Sequence, residues 1–187
     1  MSEGTAADRG DEGLEDGSGD GLGDGLGDGL GDDVHPGWGP GWQRTHVSRV
    51  VGHGGRAFAR ARAGLLGWDV QRLAGVHVPT ATPRAAPDVL VRQTVGPGGL
   101  LVALCRVGEV VDEPRRAGFT YVALRPHPEE GEETFLVEHR ADDAVVLTVT
   151  SRSRLAWAPA RLVSPLARLV QRVAVARYLR AGRLLAR

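Results

Sequence analysis

The sequence predicts an α+β domain in which an antiparallel β-meander packs on a long C-terminal helix, with an early helix after the first strand. Three observations carry this. Five strand-like segments between Val89 and Thr150 are separated by breaks too short to hold crossover helices. A helical stretch opens at Ser164-Pro165 and meets no breaker before Gly182. The length, 187 residues, favours one domain, or one domain plus tails, over two independent cores.

In chain order, residues 1–33 come first and hold eleven acids against the single Arg9, a net charge of −10. Within them Gly19 to Gly31 reads GDGLGDGLGDGLG. Its glycines cost too much chain entropy to order and its lone leucines cannot build a core, so a disordered tail is expected. The repeat has neither the nine-residue period of a calcium-binding β-roll nor the closing Glu of an EF-hand loop. The expected division is therefore an acidic Gly/Asp tail over 1–33 and a single α+β domain over 34–187. Around Trp38, Pro40 and Trp42 the chain changes character, and Arg44 to Val51 alternates as a first strand. Gly54 and Gly55 open a helix on which Phe58, Ala61 and Leu65 recur at spacings of three and four, and Gly67 is placed to stop it. Gln71 to Val78 is ambiguous and leans towards extended chain, before Pro79, Pro83 and Pro87 mark a loop.

The strand-like segments are Val89 to Val95, Leu100 to Val111, Phe119 to Leu124, Glu133 to Glu138 and Ala144 to Thr150. Pro97-Gly98-Gly99, Pro114 to Gly118, Pro126 to Gly131 and Asp142-Asp143 divide them, which makes sequential strands antiparallel neighbours. The last helix should run from Pro165 to about Leu185. On a wheel Arg168, Arg172, Arg180, Arg183 and Arg187 share one side, and Leu166, Val170, Val173, Ala174, Tyr178 and Ala181 take the opposite arc. Val175, Arg177 and Leu179 do not fit this scheme, which leaves open burial on more than one side.

Composition limits the functions to be considered. Beyond the tail, 22 Arg face 12 acids, so the neutral total is a cancellation between two oppositely charged segments. Lys is absent, which reads first as the coding bias of a GC-rich genome. Cys105 is the single cysteine, so no intrachain disulfide can form, in keeping with a reducing compartment. The acidic start resembles no signal peptide and no stretch offers about 18 uninterrupted apolar residues, so cytoplasmic residence is the default expectation.

Gly52-His53-Gly54-Gly55-Arg56-Ala57 matches the dinucleotide fingerprint G-x-G-x-x-A. Its context fails. Gly75, Val76 and His77 stand where a carboxylate should follow about 20 residues on, and the later strands form a meander without βαβ units. A tight strand-to-helix turn is the better reading, and no cofactor is expected. The six histidines, His35, His46, His53, His77, His127 and His139, form no metal-binding spacing, and no metal is expected. Cys105 could be a nucleophile, but no specific signature surrounds it, and a small buried thiol on a strand is the commoner case. The densest chemistry lies in Pro126-His127-Pro128-Glu129-Glu130-Gly131-Glu132-Glu133. Strict alternation puts Glu133 on the face of Phe135 and Val137, and Glu132 and Glu138 on the other. A carboxylate at an apolar wall must be paired or protonated, with Arg106 or His127 the expected partners. The competing reading is a solvated turn carrying all four glutamates.

Four stretches carry a resemblance: VGHGGRAFARARAGLLGW from Val51, CRVGEVVDEPRRAGFTYVAL from Cys105, HPEEGEETFLVEH from His127, and PLARLVQRVAVARYLRAGR from Pro165. Together they span nearly everything after the acidic tail. The sequence resembles the domain-of-unknown-function family nineteen-ninety, found in actinobacteria and plants. Its HPxxGEExF element, here His127, Pro128, Gly131, Glu132, Glu133 and Phe135, is the most specific piece. Tyr121 is followed by Val122-Ala123-Leu124 where the family pattern has Gly-Thr-Leu. The resemblance implies no activity. It implies an order of elements similar to helix-grip proteins of the START and polyketide-cyclase type, with a cavity between sheet and helix.

The leading expectation is a binding module for a small apolar or lipid-like ligand in that pocket. Tyr121, Glu133 and Phe135 are candidate liners, and Arg106 and His127 candidate polar anchors. A cyclase- or hydrolase-type enzyme would use the same pocket, with His127 or Glu133 as general acid or base. A third class is an interaction protein. Residues 151–187 hold nine Arg and no acid, and Arg168, Arg172, Arg180 and Arg183 would dock on nucleic acid or an anionic membrane surface.

Overall fold

The computed structural model describes residues 29–31, 42–99, 101–125, 127, 129–156 and 164–187. The Gly/Asp repeat before Gly29 and the Trp38 to Pro40 region lie outside them. The elements are β1 (Gly29–Gly31), β2 (Gln43–His53), α1 (Gly54–Leu66), α2 (Asp69–Leu73), β3 (Leu90–Val95), β4 (Leu101–Asp112), β5 (Arg116–Leu124), β6 (Glu129–His139), β7 (Ala144–Leu155) and α3 (Ser164–Ala186).

All strands join one antiparallel sheet in the order β1-β2-β7-β6-β5-β4-β3. From β3 to β7 each strand pairs with its successor, because short turns make sequential neighbours the cheapest partners in loop entropy. Strand β2 then closes on the free edge of β7, so α1 and α2 must carry the chain across one face to β3 at the far edge. Helix α3 packs on that same face against both. The register slips between Val50 and Gly52 on β2 and between Val107 and Val110 on β4. Such bulges bend a strand and raise its twist, which curves the sheet round the helix. The fold is α+β and helix-grip-like: a curved antiparallel meander on a long C-terminal helix.

The dinucleotide-like turn is a packing device. A Cβ at Gly52 would lie 2.9 Å from the Cβ of Ala186 and 3.0 Å from that of Ala57, so a bare backbone is needed where β2, α1 and the end of α3 converge. The core between helices and sheet includes Phe58, Leu65, Leu66, Trp68, Val107, Phe119, Phe135, Val137, Leu147, Val149 and Leu179. Trp68 and Phe119 have ring centroids 4.7 Å apart, and Phe135 meets Tyr178 edge-on at 4.9 Å.

Several expectations are corrected. The sheet begins inside the segment read as tail, since Gly29–Gly31 pairs with Arg44 to His46. Helix α1 does end at Gly67, but the left-handed residue is Trp68, with φ 72°, while Gly67 has φ −92°. Burial of the indole and its Nε1–H donated to Pro83 O at 2.8 Å hold a conformation that costs a non-glycine about 1 kcal/mol or more. The stretch from Gln71 is helical at first. Arg72 binds it locally, donating to Gly67 O, Val78 O and Pro79 O at 2.7, 3.1 and 3.2 Å, and His77 bridges to Thr94 on β3. On α3, Tyr178 and Ala181 are buried as the wheel places them, but so are Val175 and Leu179, the burial on more than one side that their misfit allowed, while Val173, placed on the inner arc, is 43% exposed. The helix buries positions 171, 174, 175, 178, 179, 181, 182, 185 and 186 at least in part, a face wider than the single apolar arc because more than one neighbour covers it.

Candidate functional site

The acidic stretch expected as a loop is the start of β6. Gly131 makes this possible: it has φ 146°, and a Cβ there would stand 1.9 Å from Arg152 O on β7. Only glycine lets the two backbones pair so closely. From there the strand alternates. Outward, Glu130 pairs with Arg154 at 2.7 Å, Glu132 with Arg152 at 3.2 Å and Glu138 with Arg116 at 3.4 Å. Inward, Glu133, Phe135 and Val137 face the helix side of the sheet, Phe135 against Tyr178 of α3, as alternation requires.

Register across the sheet aligns Val107, Tyr121, Glu133, Ser151 and Thr45 on β4, β5, β6, β7 and β2. This polar row lies beside an apolar one, Phe119, Phe135, Val149 and Val47. Tyr121 donates its hydroxyl to Glu133 Oε2 at 2.5 Å, and Gln171 on α3 donates to Ser151 Oγ at 3.1 Å. A half-open cavity of about 200 Å³ lies between this row and α3. Tyr121, His127, Glu133, Ser151, Gln171, Ala174 and Tyr178 line it, with Gln93, Val95 and Ala103 on the side of β3 and β4.

Electrostatics follow from enclosure. Burial pushes the Glu133 carboxyl up from 4.5 to about 7; the Tyr121 hydrogen bond opposes that shift and Glu129 adds to it. The Tyr121 and Tyr178 phenols are held well above their usual range, first by burial and then by the charge of Glu133. Cys105, fully buried on β4, is pushed up to about 12 by burial and by Glu133, so it stays a thiol and no thiolate nucleophile forms near neutral pH. Burial lowers the pKa of His127 against the opposing pull of Glu129, whose carbonyl oxygen and N–H lie 2.9 and 3.0 Å from its Nδ1.

Of the residues singled out in the sequence, Tyr121, His127 and Glu133 meet at the cavity. Phe135 lies beneath it, fully buried against Tyr121 and Tyr178. Arg106 does not reach it. Alternation on β4 turns Arg106 to the outer face, where it pairs with Asp88 at 3.7 Å, and the partner of Glu133 is Tyr121 in place of Arg106 or His127. Sequence reasoning missed Gln93, Ser151 and Gln171. Gln171 had a legible signal, since it stands seven residues before Tyr178 and shares its helix face. Ser151 lay past the expected end of its strand. Among the described residues no group of His, Cys, Asp or Glu is placed to hold a metal ion, and no helix is long and apolar enough to cross a membrane.

A model of the family described as a domain of unknown function (DUF1990) matches residues 30–181. The chain belongs to this family. A UPF0548 protein from Deinococcus radiodurans is 36% identical over 142 residues, which cover 70% of this chain and 71% of that protein. Among solved structures, this DUF1990 domain is similar to the hypothetical protein jhp0584 from Helicobacter pylori, with TM-score 0.58 and 14% identity over 81% of this chain and 91% of that one. It is also similar to norcoclaurine synthase from Thalictrum flavum, solved in complex with dopamine and hydroxybenzaldehyde, with TM-score 0.50 and 13% identity over 76% and 86% of the two chains. At these identities the structural likeness concerns the fold alone.

Proposed function

We propose that the protein binds a small, largely apolar molecule in the cavity between the sheet and α3, with the Tyr121–Glu133 pair fixing its polar end. The observation that carries this reading is the Tyr121–Glu133 pair at a cavity whose lining joins apolar side chains, Val95, Leu101, Ala103, Ala123 and Ala174, to a few polar ones, Gln93, Ser151 and Gln171. The size is informative. An apolar cavity of about 150 Å³ takes benzene, so about 200 Å³ suits one ring with a short chain and is small for the lipid-like ligand expected from the sequence. The test is titration of the full chain with 2-phenylethanol, followed by amide chemical shifts. Saturable shifts confined to the lining residues, abolished by filling the cavity with Ala174→Trp, are the expected result. Unchanged spectra, or equal binding by Ala174→Trp, would remove the reading.

The Glu133 carboxyl, balanced near neutrality, favours a second use of the same site, as a general acid or base on the bound molecule. Deuterium exchange at the α-carbon of 4-phenyl-2-butanone tests it, and a rate no greater than in buffer removes it. A separate surface reading rests on the exposed Arg172, Arg180 and Arg183 of α3, a cationic face suited to an anionic partner. Arg161 and the side chain of Arg168 lie outside the described residues.

A further inference from the structure

We propose that the cavity selects molecules carrying a protonated amine, whose ammonium pairs with the Glu133 carboxylate, and rejects carboxylates of the same shape. This rests on the binding reading above and names the ligand class of that site.

The charge inventory of the lining is one-sided. Among the described residues that line the cavity, the ionisable ones are Tyr121, His127, Glu129, Glu132, Glu133 and Tyr178, with no Arg. Glu132 is taken up by Arg152 at 3.2 Å, and burial disfavours the charged form of His127. The titratable groups facing Glu133 are Cys105 from β4, Tyr121 from β5, Glu129 from its own strand and Tyr178 from α3. None can supply a positive charge, and each that loses a proton adds a negative one. Among the described residues the carboxylate therefore has one phenol donor and no counter-ion, although two oxygens can accept about four hydrogen bonds. A ligand ammonium would supply both the charge and the missing donors, and the faces of Tyr121 and Tyr178 suit a cation as well. A ligand carboxylate would meet like charge at short range in a poorly solvated site.

A second, independent observation marks the cavity as built for a polar ligand. Gln93 on β3 is 4% exposed, lines the same cavity, and its amide Nε2 has no hydrogen-bond partner among the described residues. An unmet buried donor is costly, so native interiors rarely keep one unless a ligand or water completes it. Gln93 calls for an acceptor at the β3 side, as Glu133 calls for a donor at the β6 side. The ligand class is then a small amine with an apolar body and an acceptor remote from its nitrogen.

Three near-isosteres separate the charge terms: 2-phenylethylamine, 2-phenylethanol and 3-phenylpropionate, titrated calorimetrically against the full chain and Glu133→Gln. At pH 8 the amine should bind at least about tenfold tighter than the alcohol, and the propionate about tenfold weaker. In Glu133→Gln all three should fall within about threefold of one another. Because the free carboxyl titrates near 7, amine affinity should rise about tenfold from pH 6 to pH 8 while the alcohol stays level. That profile is read on the unmodified protein and decides the matter if Glu133→Gln fails to fold. Alcohol binding with no amine preference, the propionate binding best, or an amine preference that survives Glu133→Gln would overturn the charge inference and leave the pocket standing. Failure of all three to bind would overturn both.

Discussion

Glu133 occupies a strand position whose inward neighbours, Phe135 and Val137, are fully buried and apolar, so its charge is present at a cost in stability. Its pKa rises from 4.5 to about 7 on folding, and between those values the folded chain keeps a proton that the unfolded chain has lost. Stability therefore falls as pH rises through that window, opposite to the behaviour of a salt-bridged carboxylate. Denaturant unfolding at pH 5 and pH 8 should show Glu133→Gln relieving a loss of up to about 3 kcal/mol that the natural residue suffers. Parallel pH profiles for the two proteins would show that the carboxyl is solvated. Glu132→Gln removes only a half-exposed ion pair with Arg152 and should change stability by less than about 1 kcal/mol.

Among the elements, α3 separates periodicity from packing most clearly. Its wheel offers Val173 to the inner arc, yet Val173 is exposed and Val175 is 4% exposed. The sheet is curved and α1 lies alongside, so the buried stripe is drawn by two neighbours at once, and a one-sided wheel misses positions between them. Val175→Ala should cost about 1–3 kcal/mol through lost burial and a residual void, and Val173→Ala less than about 0.5. Equal losses in denaturant would mean that the helix is rotated from the described placement. The start of β6 makes the same point. Pro, Gly and four glutamates read locally as a turn, but cross-strand pairing with β7, and ion pairs to Arg152 and Arg154, keep the segment in the sheet.

For the whole molecule the decisive feature is charge segregation, −10 in residues 1–33 and +10 beyond. The family match begins at residue 30 and β1 at Gly29, so removal of residues 1–28 should leave cooperative unfolding unchanged within about 0.5 kcal/mol. Loss of a cooperative transition would show that the acidic segment is structural. The same deletion removes acid tethered within reach of the Arg face of α3. Binding to anionic phosphatidylserine vesicles should then tighten at about 0.01 M salt and converge with the full chain at about 0.1 M, where the Debye length falls to about 10 Å. Absence of vesicle binding by either form at low salt would remove the anionic-surface reading.

Alternation, turn residues and the run from Pro165 were enough to make the meander, the early helix and the terminal helix legible in the sequence, because each depends on contacts close along the chain, whereas for Glu133 alternation left an inward carboxylate and a solvated turn both open. The resemblance carried by His127 to Phe135 pointed to the same arrangement. What closes β2 against β7, turns Arg106 outward, seats Tyr121 opposite Glu133 and brings Gln93, Ser151 and Gln171 to one cavity is register between segments far apart in sequence. Register is a collective outcome of packing. A slip of one residue would exchange every inward for every outward side chain, and only the assembled core, with glycine at 118 and 131 where backbones nearly touch, selects a single alignment.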